Sequence, residues 1–168
     1  MIMKKSLLSL FVLLALSAGV KSQPELPARL SLNHPEDYQE SESLAIDAME
    51  WLMTHPLDTM EIERSQLNVF CMEWLSGHPQ LRIETETRIM PYAEKHPELI
   101  YIHCYASALA IMNSADCTKL CYNEAGVRAV LRSVGITKGL TSCETLSSII
   151  SAADNNQLKA WVTDQLSP

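Results

Sequence analysis

The chain has 168 residues, 47% of them hydrophobic and 20% charged, with 13 basic against 20 acidic side chains and a net charge of −7. That composition excludes a disordered or fibrous protein. The negative balance repels phosphate backbones and argues against nucleic-acid binding.

Lys4 and Lys5 open the chain, and Leu7 to Val20 form an apolar run too short to span a bilayer comfortably. Small residues follow, with Ser17-Ala18-Gly19 and Val20-Lys21-Ser22 as candidate cleavage boxes. Residues 1–22 therefore read as a removable secretory signal. An uncleaved anchor fits this short run less well, and no cysteine stands near the boxes to carry a lipid. After Ser22 there is no second long apolar segment, so the expectation is an exported protein, periplasmic or secreted, without stable membrane insertion. Cleavage removes Lys4, Lys5 and Lys21 and no acid, which takes the net charge from −7 to −10.

Residues 23–39, with Pro24, Pro27 and Pro35, predict an extended lead-in to a single helical domain over residues 40–168. Helical periodicity starts near Glu40, places Leu44, Ala48, Trp51 and Leu52 on one face, and stops at His55-Pro56. Nine acids and no base lie between Glu36 and Glu63. Solvated helix faces account for such a run; the sharper reading is an acidic surface that meets a basic partner. Thr59 is positioned to cap a second helix with an inward stripe of Leu67, Phe70, Cys71 and Trp74, stopped by a left-handed Gly77.

Leu81 to Ile89 alternates charged residues with Ile and Thr, and is expected to be irregular until it turns helical near Thr87. Within it, Glu84 and Glu86 stand between Arg82 and Arg88 as a solvated ion-pair patch. Leu99 to Met112 is almost continuously apolar and predicts a helix buried on most sides. Tyr122, Ala125, Ala129, Val130 and Val134 form the stripe of the next helix, closed by Gly135. Thr141 with Glu144 and Asp154 with Gln157 match capping boxes for two short final helices. The fold class that follows is all-α: a compact irregular bundle of six or seven helices around the central apolar helix 99–112.

Met49-Glu50-Trp51-Leu52-Met53-Thr54-His55-Pro56 recurs as Met72-Glu73-Trp74-Leu75-Ser76-Gly77-His78-Pro79, with a fainter copy from Met90 to His96-Pro97. The spacing is too irregular for a helical-repeat solenoid. A reused helix ending explains it: an aromatic in the core, His at the negative end of the helix dipole, then Pro to forbid continuation. Convergence of His55, His78 and His96 on a metal is the competing explanation.

Trp51-Leu52, Pro56-Leu57-Asp58, Glu63-Arg64, Asn68, Trp74-Leu75-Ser76-Gly77, Glu94-Lys95-His96-Pro97-Glu98-Leu99 and Gly126-Val127-Arg128-Ala129-Val130 together resemble a family of small exported proteins of Bacteroidetes-type bacteria. The likeness covers residues 44–166, and its motifs are helix boundaries. It implies an exported helical domain and no particular chemistry.

Cysteine is the most informative residue type. Cys71, Cys104, Cys117, Cys121 and Cys143 all survive cleavage into an oxidising compartment. An odd count leaves one thiol over, and Cys71, on an apolar stripe, fits that role as a small hydrophobe. The disulfide candidates are Cys104, Cys117, Cys121 and Cys143, with connectivity open. Four residues apart on a regular helix, Cys117 and Cys121 have Cβ atoms about 5–6 Å apart, too far to bond, and should pair elsewhere unless Cys117 precedes the helix. A zinc or copper site of His103, Cys104, Cys117 and Cys121 is the alternative, weakened because neighbours on a helix point about 100° apart. A redox pair is disfavoured by Cys-x-x-x-Cys spacing without a βαβ pattern.

Gly-x-Ser-x-Gly, His-Glu-x-x-His and phosphate-binding glycine loops are missing, so no catalytic residue is assigned and no cofactor is called for. A Cys–His nucleophile using Cys104 or Cys121 with a distant His is formally open. Arg128 and Arg132 share a helix face, with Glu124 one turn before Arg128 as its salt-bridge partner. The functional expectation is an exported, non-enzymatic helical module that binds a protein or envelope component. The alternative is a metal-binding or thiol-redox protein working through the cysteine cluster.

Overall fold

The computed structural model describes residues 22–167; the expected signal segment lies outside them, Ser22 excepted. Seven α-helices and three short 3-10 turns occur among the described residues, and no strand. The helices are α1 (Pro35–Glu40), α2 (Glu42–Thr54), α3 (Glu61–Gly77), α4 (Glu98–Asn113), α5 (Lys119–Ile136), α6 (Ser147–Asp154) and α7 (Leu158–Leu166). None is long and apolar enough to cross a membrane.

Helical structure starts at Pro35, inside the expected lead-in. Proline at the first helical position costs no hydrogen bond, and the Asp37 carboxylate accepts the backbone N–H groups of Asn33 and His34 and the Ser31 hydroxyl. Tyr38 then joins the core. Residues 22–34 do run without helix or strand, and Leu26 and Leu32 pack against the core.

The central helix is α4, and it lies between two apolar clusters. Leu99, Ile102 and Ala106 face Tyr92, Val127, Val130, Leu146 and Ile149. Tyr105 and Ala108, on another side, face Met49, Trp51, Leu52, Leu67, Phe70 and Trp74. Two stripes on one helix explain the nearly unbroken apolar sequence. Burying one such Leu or Ile stabilises by about 1.5–3 kcal/mol, so α4 ties the two clusters together. Its partners are α5 along its length, then α2 and α3.

The repeated helix endings hold for two of three copies. His55 stacks on Trp51 (ring centroids 4.2 Å apart), and its Nδ1 lies 2.8 Å from the Trp51 carbonyl. His78 packs on Trp74 and Tyr38, and its Nδ1 accepts from the Gln80 and Leu81 N–H groups. The buried Arg64 finishes α2 by donating to the Leu52 and His55 carbonyls. The third copy works in reverse. Pro97 is the N-cap of α4, so His96-Pro97 precedes a helix instead of ending one.

Several caps differ from expectation. Met60, in the left-handed region with φ 53°, precedes α3, while the Thr59 hydroxyl turns back to the Pro56 carbonyl. Gly77 has no positive φ; it is glycine because its bare Cα abuts the Tyr38 ring, where a Cβ would collide, and α3 stops because Pro79 forces His78 into extended backbone. Gly135 lies inside α5, which continues to Ile136. Irregular chain over residues 81–86 leads into a 3-10 turn at Thr87–Ile89, as expected.

Candidate functional site

The predicted site residues go to different places. His103 is completely buried on α4. Asn123 Nδ2 donates to the Glu84 and Lys119 carbonyls, which turns its Oδ1 toward His103 Nε2, 3.1 Å away. The ring therefore carries its proton on Nε2, and Nδ1 accepts from the Tyr92 hydroxyl at 3.1 Å. Burial pushes the His103 pKa down to about 4, against the Asn123 hydrogen bond, so the ring is neutral at pH 7. Gly126 of α5 lies over this ring, and a Cβ there would come within 2.7 Å of it. Both ring nitrogens are occupied by structural partners.

Cys104, next in sequence, points elsewhere and is half-buried, and its thiol pKa is raised by burial. Cys117 and Cys121 are bonded to each other, with Cα atoms 5.4 Å apart. Thr118 is the extended N-cap of α5 and accepts from the Cys121 N–H, so Cys117 stands before the helix, its own N–H closing a turn onto the Ser114 carbonyl. That departure from helical geometry brings it into bonding reach, the condition under which this pairing was expected. Cys104 and Cys143, the other bridge candidates, carry free thiols, as does Cys71. Among the described residues no three His, Cys, Asp or Glu side chains converge as a metal ligand set. His103, Cys104, Cys117 and Cys121 are not assembled as one.

His55 and His78 remain at their own helix ends, apart from His96. Glu84 and Glu86 find their cation across the fold: Lys119 Nζ lies 3.5 and 2.9 Å from them. Arg88 instead donates to the Ser167 carbonyl, and Arg82 to those of His78 and Leu81. Arg128 does pair with Glu124.

The structure assembles a group that sequence reasoning missed. Buried Ile89 and Tyr92 anchor the turn before α4, and the His96 N–H donates to the Tyr92 carbonyl at 2.7 Å. Pro97 then starts α4 with Glu98 at its first position, and the Glu98 carboxylate meets His96 Nδ1 at 3.2 Å. Cys143 comes from the joint between two 3-10 turns, Leu140–Ser142 and Glu144–Leu146. Its N–H donates to the Leu140 carbonyl, its own carbonyl accepts from Leu146, and Leu146 is fully buried.

The Cys143 thiol lies 3.0 Å from the Thr145 hydroxyl. Its pKa is lowered, first by that hydroxyl and then, against some desolvation, by the Thr145 backbone N–H and the His96 ring. His96 Nδ1 is engaged by Glu98, and the hydrogen bond of the Cys143 sulfur is the one to Thr145. The thiol also lines an open pocket of about 360 Å³ with Thr141, Glu144, Ser147, Ile150, Ser151, Asp154 and Asn155. Its contrast is Cys71, fully buried in the other half, with a thiol pushed up to about 12.

A second recess, of about 400 Å³, lies between α3 and α4 and is lined by Leu57, Glu61, Arg64, Ser65, Asn68, Val69, Met72, Glu98 and Tyr101. Ile62 and Val69, one α3 face apart by seven residues, are 72% and 57% exposed beside it. Glu98 belongs to this recess and to the His96 pair alike.

Comparisons with protein-family models, curated proteins and solved structures find no match for this chain. Function is therefore argued from the geometry.

Proposed function

We propose that this chain is an exported helical domain whose chemistry resides in the Cys143 thiol, with His96 as its base and Glu98 as a positioning residue. The observation that carries the reading is a half-exposed sulfur at the joint between the 3-10 turns, 3.0 Å from the Thr145 hydroxyl and open to a pocket, with the His96–Glu98 pair near enough for the ring to help lower its pKa. A thiolate is the nucleophilic form of cysteine, and a neighbouring imidazole that takes its proton is the usual means of activation. Glu98 acts through His96 by holding Nδ1 and so aiming Nε2. The Cys117–Cys121 bond supports an oxidising, extracytoplasmic setting. The thiol chemistry offered as the alternative at Cys104, Cys117 and Cys121 is thus proposed for Cys143 instead.

A second reading is the non-enzymatic binding module. Exposed Ile62, Val69 and Tyr101 around the α3–α4 recess favour it, since apolar groups gathered at a recess suit a partner surface. Glu61 and Glu98 line it with Arg64, whose guanidinium is tied to the Leu52 and His55 carbonyls, so the protein or envelope component that fits best presents basic side chains.

Brief alkylation of the native protein with iodoacetamide, followed by peptide mass spectrometry, tests the first reading. Cys143 should be labelled well before Cys104, with Cys71 last. Labelling of Cys143 no faster than Cys104 would end the thiol reading and leave the binding face.

A further inference from the structure

We infer that the outer side of α3, along the α3–α4 recess, is a docking groove for an amphipathic helix of another protein that carries basic residues beside its apolar stripe. This rests on the reading of the chain as a binding module and adds the class of its partner. α3 is two-sided. Leu67, Phe70, Cys71 and Trp74 are buried in the fold, whereas Ile62, Ser65, Val69 and Met72 share another side at spacings of three, four and three. That is the repeat by which one helix packs along a second, yet Ile62 and Val69 remain exposed. The recess follows this side. Its lining takes α3 residues from Glu61 to Met72, about 16 Å of helix, and Leu57 and Tyr101 add apolar surface. Three turns of groove suit a helix held by side chains at i, i+3 or i+4, and i+7. An extended peptide would want a sheet edge, and no strand occurs among the described residues.

Charge decides between partners. α3 carries three acids, Glu61, Glu63 and Glu73, and one base, Arg64. Arg64 is buried, with its guanidinium spent on the Leu52 and His55 carbonyls, so it offers nothing to an incoming group. Glu98, hydrogen-bonded to His96, adds a carboxylate from the start of α4. The stretch that leads into α3, from Glu36 to Glu63, holds nine acids and no base. A second copy of the chain would bring the same carboxylates against these, and a net charge of −7 sets copies apart. A helix with lysine or arginine flanking its apolar stripe is steered to the groove and complements its rim.

The test offers the native protein three fluorescent peptides matched in length to α3. One is a leucine–lysine peptide with leucine at helical spacing, the second has the same composition in strict alternation, and the third replaces lysine with glutamate in the first. Anisotropy reads affinity, and amide hydrogen exchange locates the contact. Each carboxylate engaged at about 4 Å in water contributes about fivefold in affinity. The helical leucine–lysine peptide should therefore bind at least about tenfold more tightly than the glutamate one, with the gap closing in salt, and should slow exchange in α3. Glu61→Gln should weaken it by about fivefold. The double variant Ile62→Ser/Val69→Ser should weaken it by about tenfold or more while leaving the unfolding midpoint in place, since both side chains are exposed. Equal binding of the glutamate or the alternating peptide at α3 would overturn the basic helix and leave a binding face. Self-association that the double variant abolishes, seen in sedimentation equilibrium, would make a second copy the occupant and overturn it as well. A monomeric chain in which no peptide slows exchange in α3 would overturn both the partner and the binding-module reading.

Discussion

His103 and His96 lie seven residues apart in the chain, one inside α4 and one just before it, and the fold uses their rings in opposite ways. Around His103 every polar group is closed: Tyr92 and Asn123 take the two nitrogens, and Asn123 and Tyr122 also hold the irregular segment at Glu84. Around His96 one nitrogen is held by Glu98, and the half-exposed Cys143 sulfur lies near enough for the ring to help lower its pKa. A buried imidazole with both nitrogens bonded rigidifies a core and has nothing left for chemistry. A rim imidazole with one nitrogen anchored is oriented yet still able to move a proton. The same contrast separates Cys71 from Cys143, where burial alone raises one thiol and hydrogen-bond donors lower the other.

The sharpest way to break this contrast is to damage the core and watch the rim. Ile102→Ala removes a side chain 1% exposed at the centre of the cluster beside His103. It should cost about 2–5 kcal/mol in urea denaturation. Under native conditions the iodoacetamide rate at Cys143 should not change. A cost under half a kcal/mol would misplace the core.

Acid gives a slightly smaller effect. Well above pH 6.5 the His103 ring is neutral in folded and unfolded chains alike, so it adds no pH dependence there. As pH falls from 6.5 to about 4 the unfolded chain binds a proton that the folded one refuses, and stability is lost until both are protonated. The loss attributable to this ring is about 3 kcal/mol. His103→Gln should flatten the decline across that window by the same amount; equal declines would mean the ring is not held neutral.

Much of the fold was legible because its signals are local. The apolar run from Leu99, the His-Pro stops at His55 and His78, and the irregular stretch before Thr87 each depend on residues close in sequence. Pro35 misled because proline serves both an extended lead-in and the first turn of a helix. The third His-Pro misled because the same dipeptide can end one helix or introduce the next. His96 and Cys143 belong to turns far apart in the chain, and their meeting depends on how α4 and the 3-10 turns pack. Nothing in either local sequence announces it. His96-Pro97-Glu98 did offer one trace, a carboxylate two residues from a histidine at a helix start, which becomes informative only when a thiol is known to be near. The Lys119 pairing with Glu84 and Glu86 escaped for the same reason, since nearer arginines stood on either side.

The most direct measurement is the pH dependence of alkylation at Cys143, read by peptide mass spectrometry in the native chain and in His96→Ala and Glu98→Gln. The native thiol should titrate below the ordinary cysteine value of 9.0. Removing His96 should shift that midpoint upward and slow the reaction near pH 7, with a smaller change in the same direction for Glu98→Gln, while both variants unfold within about 0.5 kcal/mol of the native protein. A midpoint at or above the ordinary value, unmoved by either substitution, would contradict a thiol activated by His96.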